Sequence, residues 1–228
     1  MKIYGLEKLS LVDYEGCTSA VVFTGACNFR CPFCHNGGLV ELSVEQLSEK
    51  DVLLYLTERS KMLDAVCISG GEPTLDADLI PFLNKVKNLG YKVKLDTNGT
   101  SPAVLQKVID LGLVDYVAMD VKNCLKKYEQ TTGVRVDINK IKQSINILLL
   151  GKVDYEFRTT LVKEFHTEED IMQMANEVAG ARKLYLQKFN DSPTCLKQGL
   201  NEVDKQTAER YVQILNKTIG QVKLRGYV

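Results

Sequence analysis

The chain has 228 residues, 45% hydrophobic and 25% charged, with 29 Lys+Arg balancing 29 Asp+Glu. This is ordinary globular composition, and a fold of this length buries roughly 70–75% of the surface its unfolded chain exposes. Disorder, collagen-like repeats and a disulfide-stapled mini-scaffold are therefore excluded. Zero formal net charge gives no general attraction to nucleic acid or to an anionic membrane, so neither is expected as a partner.

Met1–Asp13 mixes Lys2, Glu7 and Lys8 among apolar residues, without the apolar run of a secretory signal. Apolar stretches such as Ile147–Leu150 are far too short to span a membrane. The chain reads as cytoplasmic, where thiols stay reduced, so its seven cysteines point to metal or redox chemistry before disulfides. Ala20–Thr24 reads as a buried strand, and a helix is expected around Lys50–Met62. A second strand is expected over Asp64–Ser69, followed by a helix carrying Leu79, Phe82, Leu83, Val86 and Leu89 at helical spacing before Gly90. Tyr91–Asp96 is the third strand. Ser101 and Pro102 form an N-cap/N1 pair for a helix reaching Leu111, with Gly112 as its stop. Val114–Met119 is the fourth strand, and Asp137–Leu150 the next helix. Val153–Val162 is the fifth strand; Thr167 with Glu168–Asp170 opens a helix ending near Gly180. Lys183–Phe189 is the sixth strand, and the last helix spans Val203–Asn216.

Strands alternating with helices of about ten to fifteen residues indicate βαβ units and a parallel sheet, an α/β fold. No change of composition breaks the run. A single domain over 1–228 is expected, with its core at about 17–190 and a C-terminal helix and tail at about 191–228. Open or barrel-like, such a sheet gathers ligands at the C-terminal ends of its strands. Polar residues stand there: Cys27 onward, Gly70–Pro73, Asp96–Gly99 and Asp120–Lys122.

Cys27, Cys31 and Cys34 follow the first of these strands with C-x3-C-x2-C spacing. Three thiolates on one short loop can converge on a metal centre. Iron–sulfur clusters normally take four Cys ligands, so three would leave one iron open for chemistry. A structural zinc site of three Cys and one His is the plainer reading, with His35 awkwardly adjacent to Cys34 and His166 far along the chain. Gly70-Gly71 permits a turn that brings backbone carbonyls close to a ligand, or is a plain turn. Asn98-Gly99 is equally an ordinary turn signal, with Asp96 as its cap. Alternation puts Ala118, Asp120 and Lys122 on one face, and likewise Glu156, Arg158 and Thr160. Asp120 and Lys122 suit an interior mouth or form a surface ion pair. Arg158 faces a ligand or closes an internal salt bridge with Glu156 or Asp120. Cys17, Cys67, Cys124 and Cys195 show no cluster spacing, and Cys67 is most simply core.

The run CNFRCPFC, Cys27–Cys34, resembles the signature of radical S-adenosylmethionine (SAM) enzymes. The resemblance implies a partial (β/α)6 barrel of parallel strands in which the three cysteines hold a [4Fe–4S] cluster. SAM would chelate the fourth iron through its amino and carboxylate groups, and Phe33 would pack near the adenine. His35 is counted with the cofactor-binding residues. Ser69–Thr74 resembles the family's GGEP element, which adds Gly70, Gly71 and Glu72. Asp96–Gly99 resembles the DTNG element of glycyl-radical activating enzymes, placing Asp96 and Thr97 beside SAM at a monovalent-cation site. By the same comparison Asp120 would meet the ribose, Lys122 the SAM carboxylate, and Arg158 SAM and a substrate peptide. Pyruvate formate-lyase activases carry a His after the last barrel strand; Leu186–Phe189 has none, and Gln187 is the candidate in its place.

The opening YGLEKLSLVDYEGCTSAVVFTGACNFRCPFCHNGGLV, with EFRTTLV, LQKF and the closing LRGYV, resembles the activating proteins of anaerobic (class III) ribonucleoside-triphosphate reductase. This implies an oxidoreductase activase fed one electron by reduced flavodoxin or ferredoxin. Its 5′-deoxyadenosyl radical would take the Cα hydrogen of a glycine in the partner, with no protein general base. The alternatives are a radical SAM enzyme acting on another glycyl-radical enzyme, a peptide or a small molecule, and a non-enzymatic metal or redox protein that binds no SAM.

Overall fold

The computed structural model describes residues 1–227; Val228, the last residue of the LRGYV segment, lies outside them. Among the described residues, eight strands form one sheet in strict chain order: β1 (Ile3–Ser10), β2 (Ser19–Thr24), β3 (Ala65–Gly70), β4 (Lys92–Thr97), β5 (Tyr116–Asp120), β6 (Asp154–Leu161), β7 (Leu184–Lys188) and β8 (Val222–Arg225). All neighbours pair in parallel except β1, which is antiparallel to β2. The six expected strands are β2 to β7; the structure adds one at each edge. Parallel neighbours need crossovers, and helices supply most of them: α1 (Gly37–Val40), α2 (Glu49–Arg59), α3 (Leu79–Asn88), α4 (Pro102–Asp110), α5 (Tyr128–Thr132), α6 (Ile138–Leu149), α7 (Glu168–Glu177) and α8 (Lys205–Leu215).

Local signals explain the helix ends. Thr167 and Asp170 form a reciprocal capping box at α7, and Asp137 caps α6 through its side chain. Ser101 stands at the N-cap of α4, but its side chain makes no capping hydrogen bond, so Pro102 alone carries the start signal. α3 closes at Leu89, and Gly90 follows with φ +89°.

The two faces of the sheet have opposite chemistry. Val66 and Ile68 of β3, Val93 and Leu95 of β4, Val117 and Met119 of β5, and Leu184 and Leu186 of β7 share one apolar core with helix residues such as Phe82, Leu105, Ile145 and Met174. The alternate positions form the concave face, including Ser69, Asp96, Asp120, Arg158 and Gln187 at the C-terminal strand ends. At the opposite end, the 11–18 turn lies across the interior. Tyr14 packs on Tyr116 at 5.6 Å, and Lys94 Nζ donates to the Asp13 carbonyl. No described helix is long and apolar enough to cross a membrane.

Candidate active site

The strand ends open into a cavity of about 240 Å³. All thirteen residues singled out above line it: Cys27, Cys31 and Cys34; Phe33 and His35; Gly70, Gly71 and Glu72; Asp96 and Thr97; Asp120, Lys122 and Arg158. Gln187 lines it too.

The cysteine loop is held tightly from below. Ala26 takes φ +59°, a left-handed conformation uncommon outside glycine. Its carbonyl accepts the Glu72 N–H at 2.9 Å, and its own N–H donates to Leu39. Gly70 has φ +112°, and a Cβ on Gly71 would lie 1.9 Å from the Ala26 carbonyl oxygen. The glycine pair is thus required by backbone packed on backbone. The Gly70 carbonyl accepts from Asn36 Nδ2 at 3.0 Å.

Glu72 has a task the sequence did not suggest. Its buried carboxylate accepts from Thr74 N–H and hydroxyl, from Thr97 Oγ1 at 2.8 Å, and from Asn98 N–H at 2.6 Å. Thr97 Oγ1 also accepts the Gly99 N–H. Glu72 and Thr97 therefore tie the GGEP and DTNG elements together. Burial pushes the Glu72 carboxyl pKa up, against the pull of those donors.

An ion chain crosses the floor. Arg158 Nε donates to Asp120 Oδ1 at 2.9 Å and its terminal nitrogen to Asp96 Oδ2 at 3.0 Å; Lys122 Nζ donates to Asp120 Oδ2 at 2.9 Å. Of the two partners foreseen for Arg158, Asp120 is present. Glu156 instead accepts from Tyr116 and Arg225. Burial pushes Asp120 up, but Arg158 and Lys122 outweigh it and hold the carboxyl at about 2. Asp96 Oδ1 is buried and accepts no hydrogen bond; Lys94 Nζ stands 3.7 Å away.

Phe33 lies against Phe165 and Phe189, with ring centroids 5.9 and 6.5 Å apart. The His35 ring is 5.7 Å from Phe189, and its Nδ1 is 3.6 Å from Cys195 Sγ. The stretch around Cys195 straps the cysteine loop: Gly37 N–H donates to the Thr194 carbonyl and Lys197 N–H to that of Pro32. His166, named above only as a distant candidate for a zinc ligand, is buried behind Lys122. Its Nδ1 accepts the Val162 N–H at 3.0 Å, so Nε2–H donates to the Lys122 carbonyl at 2.9 Å.

The donor set fits a cluster with one exchangeable corner. Three thiols open on the cavity, and among the described residues no three His, Cys, Asp or Glu side chains gather about a single point. A cubane takes each thiolate at a different iron. Burial pushes Cys31 up to about 12 and Cys27 upward as well, so metal loading would release protons. Asp96 Oδ1, which accepts no hydrogen bond, is an acceptor left for a ligand's ammonium group or a cation.

Comparison with known proteins agrees. Residues 21–178 match the family model described as the Radical SAM superfamily. A Methanocaldococcus jannaschii protein, provisionally named a glycyl-radical enzyme activating enzyme, is 37% identical over 197 residues, 82% of this chain and 79% of its own length. Among solved structures, a domain of pyruvate-formate lyase-activating enzyme from Bacteroides vulgatus superposes with a TM-score of 0.58 at 17% identity, covering 72% of this chain and 99% of that domain. Streptococcus suis SuiB bound to S-adenosylmethionine gives a TM-score of 0.68 at 16% identity, covering 90% of this chain and 50% of that one.

Proposed function

This chain belongs to the radical SAM superfamily, and on that premise we propose that it is an activase that installs a glycyl radical on a partner enzyme. The observation carrying the chemistry is that the three thiols, the GGEP and DTNG elements and the Asp120–Lys122–Arg158 chain line one cavity. The 37% identical relative supports the choice of a glycyl-radical enzyme as target. The opening segment, EFRTTLV and LQKF favour anaerobic ribonucleoside-triphosphate reductase as that partner, with flavodoxin or ferredoxin as electron donor.

Cys27, Cys31 and Cys34 would hold the [4Fe–4S] cluster, leaving its fourth iron to SAM. When bound, these groups supply one-electron cleavage of SAM to methionine and a 5′-deoxyadenosyl radical that takes hydrogen from a glycine Cα. The chain's own residues bind and orient. Asp96 Oδ1 offers an acceptor for the ammonium group or a monovalent cation. Lys122 brings positive charge for the carboxylate, fixed by Asp120 on one side and by His166 through its backbone. Asp120 stays ionised and can accept from ribose hydroxyls. Phe33, packed on Phe165 and Phe189, gives the cavity an apolar side against which the adenine would lie.

The test is anaerobic reconstitution with iron and sulfide, dithionite reduction and an assay for 5′-deoxyadenosine from SAM, comparing wild type with Cys31→Ala. Cleavage by wild type alone is expected, followed by a glycyl-radical EPR signal when the reductase is added. Cleavage with no signal on the reductase would move the target to another enzyme, a peptide or a small molecule. Zinc in place of iron, with no cleavage, would overturn the proposal.

A further inference from the structure

The sulfur of Cys27 is contacted differently from its two companions. The Phe29 N–H donates to it at 3.4 Å, and Asn98 Nδ2 stands 3.8 Å away, within reach of a hydrogen bond to sulfur. Among the described residues, Cys31 and Cys34 receive no such donors.

The orientation of the Asn98 amide is fixed by its neighbours. Its Oδ1 accepts the backbone N–H of Thr100 at 3.0 Å and the Thr100 hydroxyl at 2.7 Å. A backbone N–H can only donate, so the oxygen must face Thr100 and the nitrogen must face the cysteine loop. There Nδ2 also donates to Asn28 Oδ1 at 2.8 Å, while Asn28 Nδ2 donates to the Thr100 hydroxyl at 2.9 Å. The Asn98 backbone is pinned by the Glu72 carboxylate. The residue is only 5% exposed, so little water competes for the donor.

We propose that Asn98 sets the reduction potential of the bound cluster, raising it through the hydrogen bond to the Cys27 sulfur. The inference rests on the reading that Cys27, Cys31 and Cys34 hold a [4Fe–4S] cluster. Reduction from the 2+ to the 1+ state adds one electron and no proton, and part of that charge falls on the thiolate sulfurs. An N–H dipole aimed at one sulfur stabilises the reduced state more than the oxidised one, so the couple shifts to less negative potential. Burial strengthens the effect, because the interaction is little screened. Lys122 exerts a broader pull on the loop as a full charge, whereas Asn98 acts on one ligand. Asn98 is in this sense a positioning and tuning residue; it touches the ligand and carries no step of the reaction.

The experiment uses the full chain, reconstituted anaerobically with iron and sulfide, without SAM or partner. The cluster is titrated potentiometrically with dithionite as reductant, and the EPR signal of the 1+ state is the readout. Wild type is compared with Asn98→Leu, which removes the donor, and with Asn98→Asp, which keeps an acceptor for Thr100 while replacing the N–H by a carboxylate oxygen. Thr74→Val, which cuts a Glu72 hydrogen bond remote from the sulfur, controls for general loosening of the turn. The expected result is a shift to more negative midpoint potential in both Asn98 variants, larger for Asp, with Thr74→Val unmoved. Unshifted midpoints in variants carrying a full cluster would overturn the inference and leave the cluster reading intact. An equal shift in Thr74→Val would overturn it as well, by assigning the effect to packing. A wild-type chain that assembles no four-iron cluster would overturn both.

Discussion

A side chain on Gly71 would place its Cβ 1.9 Å from the carbonyl oxygen of Ala26, the residue before Cys27. The obstacle is backbone, so the substitution can be met only by moving the cysteine loop. Gly71→Ala is expected to cost at least the ~1–3 kcal/mol of an overpacked site. It should also lower iron incorporation. Thermal melting and iron per chain after reconstitution check both, and a fully loaded variant of wild-type stability would contradict the packing argument.

Cys27, Cys31 and Cys34 line the cavity; Cys67 and Cys124 are buried elsewhere. Alanine at any of the first three should abolish the four-iron cluster. Cys67→Ala and Cys124→Ala should keep it and show only the stability loss of a small core truncation. Visible absorption and iron counts across the series decide.

Arg158 bridges Asp96 and Asp120, both partly sheltered from water. Removing one partner of a buried ion pair typically costs about 3–5 kcal/mol. Arg158→Ala should fall near the lower end, because Lys122 still pairs with Asp120. Arg158→Lys cannot reach two carboxylates with one nitrogen, and it should recover only part of the loss in a denaturant titration.

The Asp120 carboxyl is held at about 2, below its ordinary 3.8. A carboxyl depressed by folding contributes stability above its unfolded value, and that contribution fades as pH falls toward the folded one. The shift corresponds to about 2 kcal/mol. Wild type should therefore lose this stability between pH 4 and about 2, whereas Asp120→Asn should show a shallower acid dependence there. Parallel curves for the two proteins would remove Asp120 as the source.

These residues differ in how far the sequence exposed them. Alternation along β5, just past its end and along β6 put Asp120, Lys122 and Arg158 on the inner face, because most of the intervening positions, such as Val117, Met119, Tyr155 and Phe157, are apolar and leave polar ones conspicuous between them. β1 gave no such signal. Its middle is exposed and its ends buried, as befits an edge strand, so its burial follows no period of two. β8 is four residues long, too short for a pattern to emerge. In the site, cysteine spacing and the two glycine-bearing turns were legible as motifs. The work of Glu72, Asn36 and Asn98 was not, since each acts through partners 25 to 71 positions away in the chain. The task of His166 was hidden for the same reason: it is defined by Lys122, which lies 44 residues earlier.

The strap across the cysteine loop has a consequence for the order of events during synthesis. Pro32 and Gly37 leave the ribosome well before the backbone partners that fasten them, at Lys197 and Thr194. His35 waits for Cys195, 160 positions later. A growing chain therefore displays its three thiols on an untied loop until that stretch has been made. The pocket gains its final fastening only after residues 194–197 have emerged, so iron loading onto the fastened shape follows their synthesis.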